Sequence, residues 1–372
     1  MAYFFELPKL DELTYDQRMA LDEIEPIAIS GGAGTGKTVI SLLRHLKIME
    51  ANNNYSLLVT YTKTLGFYLQ MSLHSMEDKE KYRSGIIPPS QQVFIIKDFP
   101  FTQNWKVYEI IIDEAQDLTF NKLQEIQSYA KNLSYGADFN QKLYGGTVTE
   151  NEIKTLFLKN EEYNLQQNFR NTYAILNFVK AVLVNFYIPQ STLDELKEKS
   201  SGFKPIMFIS TNFDKEIENI IELINEFKSD SHNIAILLPF GDDRYDGNQS
   251  VDKYFFALQN KGLLCSRYYN EMHTNNIQIE NLHITTFKSS KGLEFDTVVI
   301  PQLNKFQNNI KNAYTVNEED YYVAFTRAKR NLYLTSSKEL NFIDKNSYDI
   351  EILNNSYQKI PEISISDDEI PF

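Results

Sequence analysis

Cysteine is almost missing from this chain of 372 residues, where Cys265 stands alone. One thiol excludes an internal disulfide framework and a cysteine-ligated zinc or iron–sulfur centre. Histidine is scarce as well. The five, His45, His74, His232, His273 and His283, are scattered, and none stands at metal-ligand spacing with another. No apolar run approaches the roughly 18 residues that a membrane span needs, and no leader peptide precedes the first strand pattern, so the expectation is a cytoplasmic protein with no membrane partner. Positive charge is also in short supply: 37 Lys and Arg against 50 Asp and Glu give a net charge of −13. That balance excludes a protein that binds nucleic acid through its overall charge. It leaves room for a local groove with aromatic platforms, and it predicts binding that fades quickly with salt.

Apolar residues are plentiful at 42%, with 25 Phe and 23 Tyr, so a sizeable core is assured and any given aromatic is more readily core than platform. The length suits two domains. Strand-like runs at 26–30, 56–61, 91–96, 109–113 and 133–138 alternate with helical patterns. A second series follows: KPIMFIS, NIAILLP, HITTF, DTVVIP and NLYLTS, with a helix read over EEDYYVAFTRAKR. Such alternation predicts an α/β fold of two tandem parallel-sheet domains, 1–160 and 161–344. The remainder, 345–372, is polar and ends acidic, and it reads as a tail.

Residues 31–38, GGAGTGKT, fit the phosphate-loop pattern with Gly31, Gly34, Gly36, Lys37 and Thr38. Glycines let backbone N–H groups wrap a polyphosphate at the positive end of the next helix. Lys37 would hold terminal phosphates, and Thr38 would hold Mg²⁺. A glycine-rich turn that binds nothing is disfavoured, because an apolar strand precedes the loop and a helical pattern follows it. Residues 113–117, DEAQD, follow a three-isoleucine strand. Asp113 is therefore placed as the second Mg²⁺ ligand, and Glu114 as the base that activates water. A nucleoside polyphosphate and Mg²⁺ are the implied ligands.

The chain carries, in order, YDQ, GGAGTGKT, TYTK, DEAQD, ADFNQKLY, LQQNFRNT, TFKSSKGLEF and YVAFTRAK. This series resembles the superfamily-one helicases of the UvrD, Rep and PcrA type, over nearly the whole chain to about residue 337. The resemblance implies RecA-like domains with the ATP site in the cleft between them. It implies that Gln17 reads adenine and Phe169 stacks on it. Gln141, in the D-x-x-Q that begins at Asp138, would sense the γ-phosphate; Arg170 and Arg327 would act as arginine fingers, and Glu294 would contact the ribose. Thr60, Thr62, Lys63, Thr286, Lys288 and Ser289 match residues that touch the nucleic-acid backbone. The implied activity is ATP-driven 3′ to 5′ movement on single-stranded DNA.

Several positions depart from that pattern. Ala137 replaces glycine, Lys288 stands where histidine is common, and no base-stacking aromatic follows the D-x-x-Q motif. The spacing from Lys63 to Asp113 and from Arg170 to Lys288 leaves no room for accessory domains. A contrasting expectation is thus an ATP-gated switch or recruiting subunit in repair or anti-phage defence, working with a nuclease or other partner. RNA is a further candidate substrate. The end of the chain, SDDEIPF, resembles the tail tip of bacterial single-stranded-DNA-binding protein, which implies that Ile370, Pro371 and Phe372 dock in a partner's apolar pocket or in the chain's own groove.

Overall fold

The computed structural model describes residue 3 and residues 7–51, 55–77, 87–99, 107–142, 144–199, 201–229, 231–272, 279–312, 316–340 and 350–354. Short apolar runs form six strands in the first half: β1 (Ile27–Gly31), β2 (Ser56–Thr60), β3 (Val93–Ile95), β4 (Val107–Ile112), β5 (Ala130–Ala137) and β6 (Glu161–Leu165). They make one sheet in the order β3-β2-β4-β5-β1-β6, and every pairing is parallel. Parallel sheets bury both faces, and the central strands show it: every residue of β2 is buried, as are the last four of β4. Leu57, Val59, Ile110 and Ile112 pack there with Leu123 and Ile126 of the helix Phe120–Gln127. Each such side chain contributes roughly 1.5–3 kcal/mol of burial.

The second half repeats the architecture with β7 (Ile206–Ile209), β8 (Ile234–Leu238), β9 (Ser266–Tyr268), β10 (Leu282–Thr286), β11 (Phe295–Ile300), β12 (Ala328–Ser336) and β13 (Glu351–Asn354). Their order is β13-β7-β12-β11-β8-β10-β9, again all parallel. The helices Phe213–Phe227 and Val251–Asn260 bury Ile217, Ile220, Leu223, Tyr254 and Leu258 with β8 and β10. Among the described residues, no helix is long and apolar enough to cross a membrane.

The chain divides into two compact units, Phe5–Phe169 and Arg170–Phe372, the second taking in Met1–Phe4 as well. This differs from the expected boundary after residue 160. The polar run EEYNL is β6, paired with β1 along its whole length, so the first sheet continues to Leu165. Tyr3 belongs with the second unit through its N–H on the Ile279 carbonyl and its ring edge-on to Phe295. Within the segment read as a tail from 345, Glu351–Asn354 form β13, which pairs with β7. The helix expected over 318–330 ends at Phe325, and Ala328, Lys329 and Arg330 already lie in β12. Residues 370–372 lie outside the described residues.

A buried ion pair fixes the first unit around its phosphate loop. Arg44, on the helix Lys37–Glu50, places Nε 2.6 Å and Nη2 3.1 Å from the two carboxylate oxygens of Glu109 in β4. The same guanidinium donates to the carbonyls of Glu23 and Glu25, just ahead of β1, and Ser134 of β5 donates to Glu109. Arg44 thus ties the loop's helix to β4 and to the segment that enters β1, and Glu109 extends the link to β5.

Candidate functional site

Ligands in parallel α/β sheets bind beyond the carboxyl ends of the strands. In the first unit the motifs gather there: the phosphate loop after β1, Asp113 after β4, Asp138 after β5 and Asn168 after β6. Gly36 has φ +87, and a Cβ on it would lie 2.5 Å from Gln17 Nε2. A Cβ on Gly31 would lie 2.4 Å from the Leu165 carbonyl oxygen. Close backbone approach therefore requires glycine at 31, and the left-handed φ favours it at 36. Lys37 is buried, and its ammonium donates to the carbonyls of Gly31 (2.9 Å) and Gly32 (2.7 Å). It stands 3.8 Å from Asp138 Oδ2. The loop is held from outside by Asn168 Nδ2 on the Ala33 carbonyl (2.8 Å) and by the Phe169 N–H on the Gly34 carbonyl (2.9 Å).

Thr38 Oγ1 donates to Asp113 Oδ2 at 2.8 Å, and Ser41 Oγ approaches Oδ1 at 3.3 Å. Burial and the neighbouring Glu114 push the Asp113 carboxyl up to about 7, against the opposing pull of Thr38, Lys37 and Ser41. Glu114 adopts φ 62 and ψ 45, the left-handed region. For a residue with a Cβ that costs roughly 1–2 kcal/mol, and such strain collects at functional sites. Gln116 donates to Glu114 Oε2 and accepts the Asp138 N–H at 3.1 Å, so one buried amide joins the ends of β4 and β5. Gln141 in turn donates to Asp138 Oδ2 at 2.6 Å. A hydroxyl and a carboxylate beside a glycine-rich loop are the hard oxygen donors Mg²⁺ takes, so the donor set fits that ion. Among the described residues, no group of three His, Cys, Asp or Glu could hold a metal by itself.

Gln17 is the third helical residue of Tyr15–Asp22, and its Oε1 accepts the Thr14 N–H in a capping box. Its Nε2 donates to the Thr35 carbonyl at 3.1 Å. The residue expected to read adenine is thus buried against the loop itself. Phe169 is half-buried at the end of the first unit.

In the second unit, Arg170 Nε donates to Glu294 Oε2 at 2.8 Å, and Lys329 Nζ lies 4.0 Å from Oε1. Burial alone would raise the Glu294 carboxyl, but Arg170, Lys329 and Arg327 outweigh it and hold the group below its ordinary value. Arg327 is 1% exposed. Its guanidinium donates to the carbonyls of Val323 (3.0 Å) and Leu293 (3.2 Å).

The residues expected to touch nucleic acid divide in two. Thr60, Thr62, Thr286 and Ser289 are buried. Thr62 caps the helix Lys63–Met76 by accepting the Leu65 N–H, and Thr286 and Ser289 bond to each other at 2.9 Å. The hydroxyls of Thr62, Thr286 and Ser289 shape loops rather than project from them, whereas Thr60 Oγ1, at the end of β2, is buried without a hydrogen-bond partner. The half-buried Lys63 and Lys288 are the more exposed of the six, with Lys288 3.8 Å from Asp320. Gln116, Ser41 and Asn168 were not singled out by the sequence. Gln116 lay inside DEAQD, and Ser41 sits one helical turn after Thr38. Asn168 offered no signal beyond its place in LQQNFRNT.

Two family models match. Residues 263–339 match the UvrD-like helicase C-terminal domain, and residues 25–222 match the Schlafen group 3, DNA/RNA helicase domain. The UvrD likeness expected over nearly the whole chain is thus found in the second unit. Among curated relatives, a putative ATP-dependent DNA helicase of Acanthamoeba polyphaga mimivirus is 25% identical over 247 residues, which is 61% of this chain and 34% of the relative. The RecBCD enzyme subunit RecB of Chlamydia pneumoniae is 42% identical over 69 residues, 18% of this chain and 6% of that protein. The chain therefore spans about a third of the first and a small part of the second. The arterivirus nonstructural protein 10 helicase is 15% identical at a TM-score of 0.42, covering 86% of this chain and 61% of that one. Its complex with DNA is 14% identical at 0.40, covering 86% and 62%. With more than half of its length matched by one model and the fold and loop geometry in accord, the chain belongs to the family of the Schlafen group 3 DNA/RNA helicase domain.

Proposed function

We propose that this chain hydrolyses ATP with Mg²⁺ and couples hydrolysis to movement on single-stranded DNA, in the 3′ to 5′ sense that its UvrD resemblance implies. The observation that carries the reading is the Thr38–Asp113 contact of 2.8 Å beside the strained Glu114, all at the carboxyl edge of the first sheet. Lys37 neutralises charge on the terminal phosphates as they separate. Thr38 and Asp113 would hold Mg²⁺, which would supply charge neutralisation. Glu114 takes the proton of the attacking water, and its left-handed backbone fixes where the carboxylate stands. Gln141 reports the terminal phosphate to the end of β5. Arg170 and Arg327 add positive charge that the transition state uses more than the ground state does. Gln17, Phe169 and Glu294 serve the base and ribose. Lys63 and Lys288 meet the strand backbone on loops shaped by Thr62, Thr286 and Ser289, with Thr60 closing β2 just ahead of the first. ATP turnover with and without oligo-dT, followed by displacement of streptavidin from an end-biotinylated strand, tests this. Turnover that ignores strands would contradict it.

A second reading is an ATP-gated switch that recruits a nuclease or a repair or defence protein without useful movement. The spacing from Lys63 to Asp113, which leaves no room for an accessory domain, favours it. Strand-stimulated turnover without streptavidin displacement would select it. Oligo-U in place of oligo-dT tests RNA. The tail residues Ile370, Pro371 and Phe372 form a docking tip in this proposal, and deleting Phe372 should abolish binding to a protein with a pocket for such tails.

A further inference from the structure

Arg327 stands in the two-residue turn between the helix Glu318–Phe325 and β12, where its N–H donates to the Ala324 carbonyl at 3.2 Å and its carbonyl accepts the Phe295 N–H at 2.9 Å. The ladder on β11 is irregular at the same point: Phe295 pairs with Ala328, yet Thr297 pairs with Asn331. One side chain spans the turn. Asn171 Nδ2 donates to the Thr326 carbonyl at 3.1 Å and to the Ala328 carbonyl at 2.7 Å, the residues immediately before and after Arg327. Asn171 is fully buried, and it directly follows Arg170 in the chain. A primary amide has two N–H bonds in one plane, so it grips two carbonyls with a fixed separation. Removing it would leave both carbonyls buried beside a guanidinium whose aim depends on that backbone.

We infer that Asn171 is a positioning residue for Arg327, setting the turn from which that guanidinium acts on the hydrolytic step. The inference rests on the proposed role of Arg327 in hydrolysis. Asn171 itself touches neither substrate nor metal, and it works only through Arg327.

A double-mutant cycle on the full chain tests this, with turnover counted per site that binds a fluorescent ATP analogue, so that misfolded protein is not scored. Asn171→Ala should keep analogue affinity and the KM for ATP within about threefold and lower kcat by about tenfold or more. In an Arg327→Lys background, where the guanidinium fork is already gone, the same substitution should change kcat by less than about twofold. Asn171→Ser, which keeps one donor, should recover part of the loss and serves if Asn171→Ala folds poorly. An unchanged kcat in Asn171→Ala, or an equal fall in both backgrounds, would overturn the inference. If Arg327→Lys alone leaves kcat unchanged, the role of Arg327 fails first, and the inference falls with it.

Discussion

At the scale of single residues, Glu114 is the most exacting position. Its φ of 62 is one of two positive values among described non-glycine residues, and its carboxylate is bonded by Gln116. Glu114→Gln removes the proton acceptor while keeping size and the amide partner. Nucleotide-analogue affinity should stay within a few-fold, and steady-state turnover should fall by roughly 10²–10⁴-fold. A fall of less than about tenfold in a phosphate-release assay would remove Glu114 from the proton's path. Lys37→Ala is expected to lose turnover altogether, because its ammonium sits against the loop carbonyls where a polyphosphate would be wrapped. Circular dichroism should show an intact fold. Turnover within a few-fold of the unsubstituted chain would refute the phosphate-loop assignment.

At the scale of elements, two buried features link the fold to the site. Arg44 joins the helix of the phosphate loop to β4 and to the carbonyls before β1. Arg44→Met leaves Glu109 buried without its partner, and urea unfolding should show a loss of about 3–5 kcal/mol. A loss below about 1 kcal/mol would mean that the pair is dispensable. His45, on the same helix, is buried between Ser56 and the Pro89 carbonyl, and burial lowers its pKa to about 4. The folded state then binds its proton less readily than the unfolded state. The stability it confers is complete above the unfolded value near 6.5 and is lost as pH falls toward 4. Stability should drop by roughly 2 kcal/mol between pH 7 and pH 5 from this group alone. His283, lowered to about 3 by burial, acts in the same direction. Urea midpoints across that range should fall less steeply in His45→Gln, and an identical slope would discount His45.

Elements also show what the sequence could and could not reveal. The apolar runs of β2, β4, β8 and β11 were legible because strands buried on both faces need nothing else. β6 was not, because Glu161 and Glu162 are exposed on an edge strand that joins β1 through its backbone ladder. β9 and β13 are short edge strands of the same kind. In the site, Lys37, Thr38 and Asp113 were legible because their chemistry and spacing are local. Asn168, Asn171 and Gln116 act by side-chain amides on distant groups, a role that a single sequence does not display. The only other described non-glycine residue with positive φ, Gln302, stands two residues beyond β11, just as Glu114 stands two beyond β4. The second sheet thus repeats the corner of the first with an amide in place of the carboxylate.

At the scale of the whole molecule, the central claim is that nucleotide hydrolysis answers to a nucleic-acid strand. The net charge of −13 adds a condition: strand binding rests on local groups such as Lys63 and Lys288, so stimulation should weaken as salt rises. The most direct measurement is steady-state ATP turnover in low salt with and without saturating oligo-dT, run beside Lys37→Ala. The account predicts that oligo-dT raises turnover by about tenfold, which is roughly 1.4 kcal/mol off the activation free energy, and that Lys37→Ala shows none in either condition. Turnover that is absent with any strand, or equal with and without one, would contradict it.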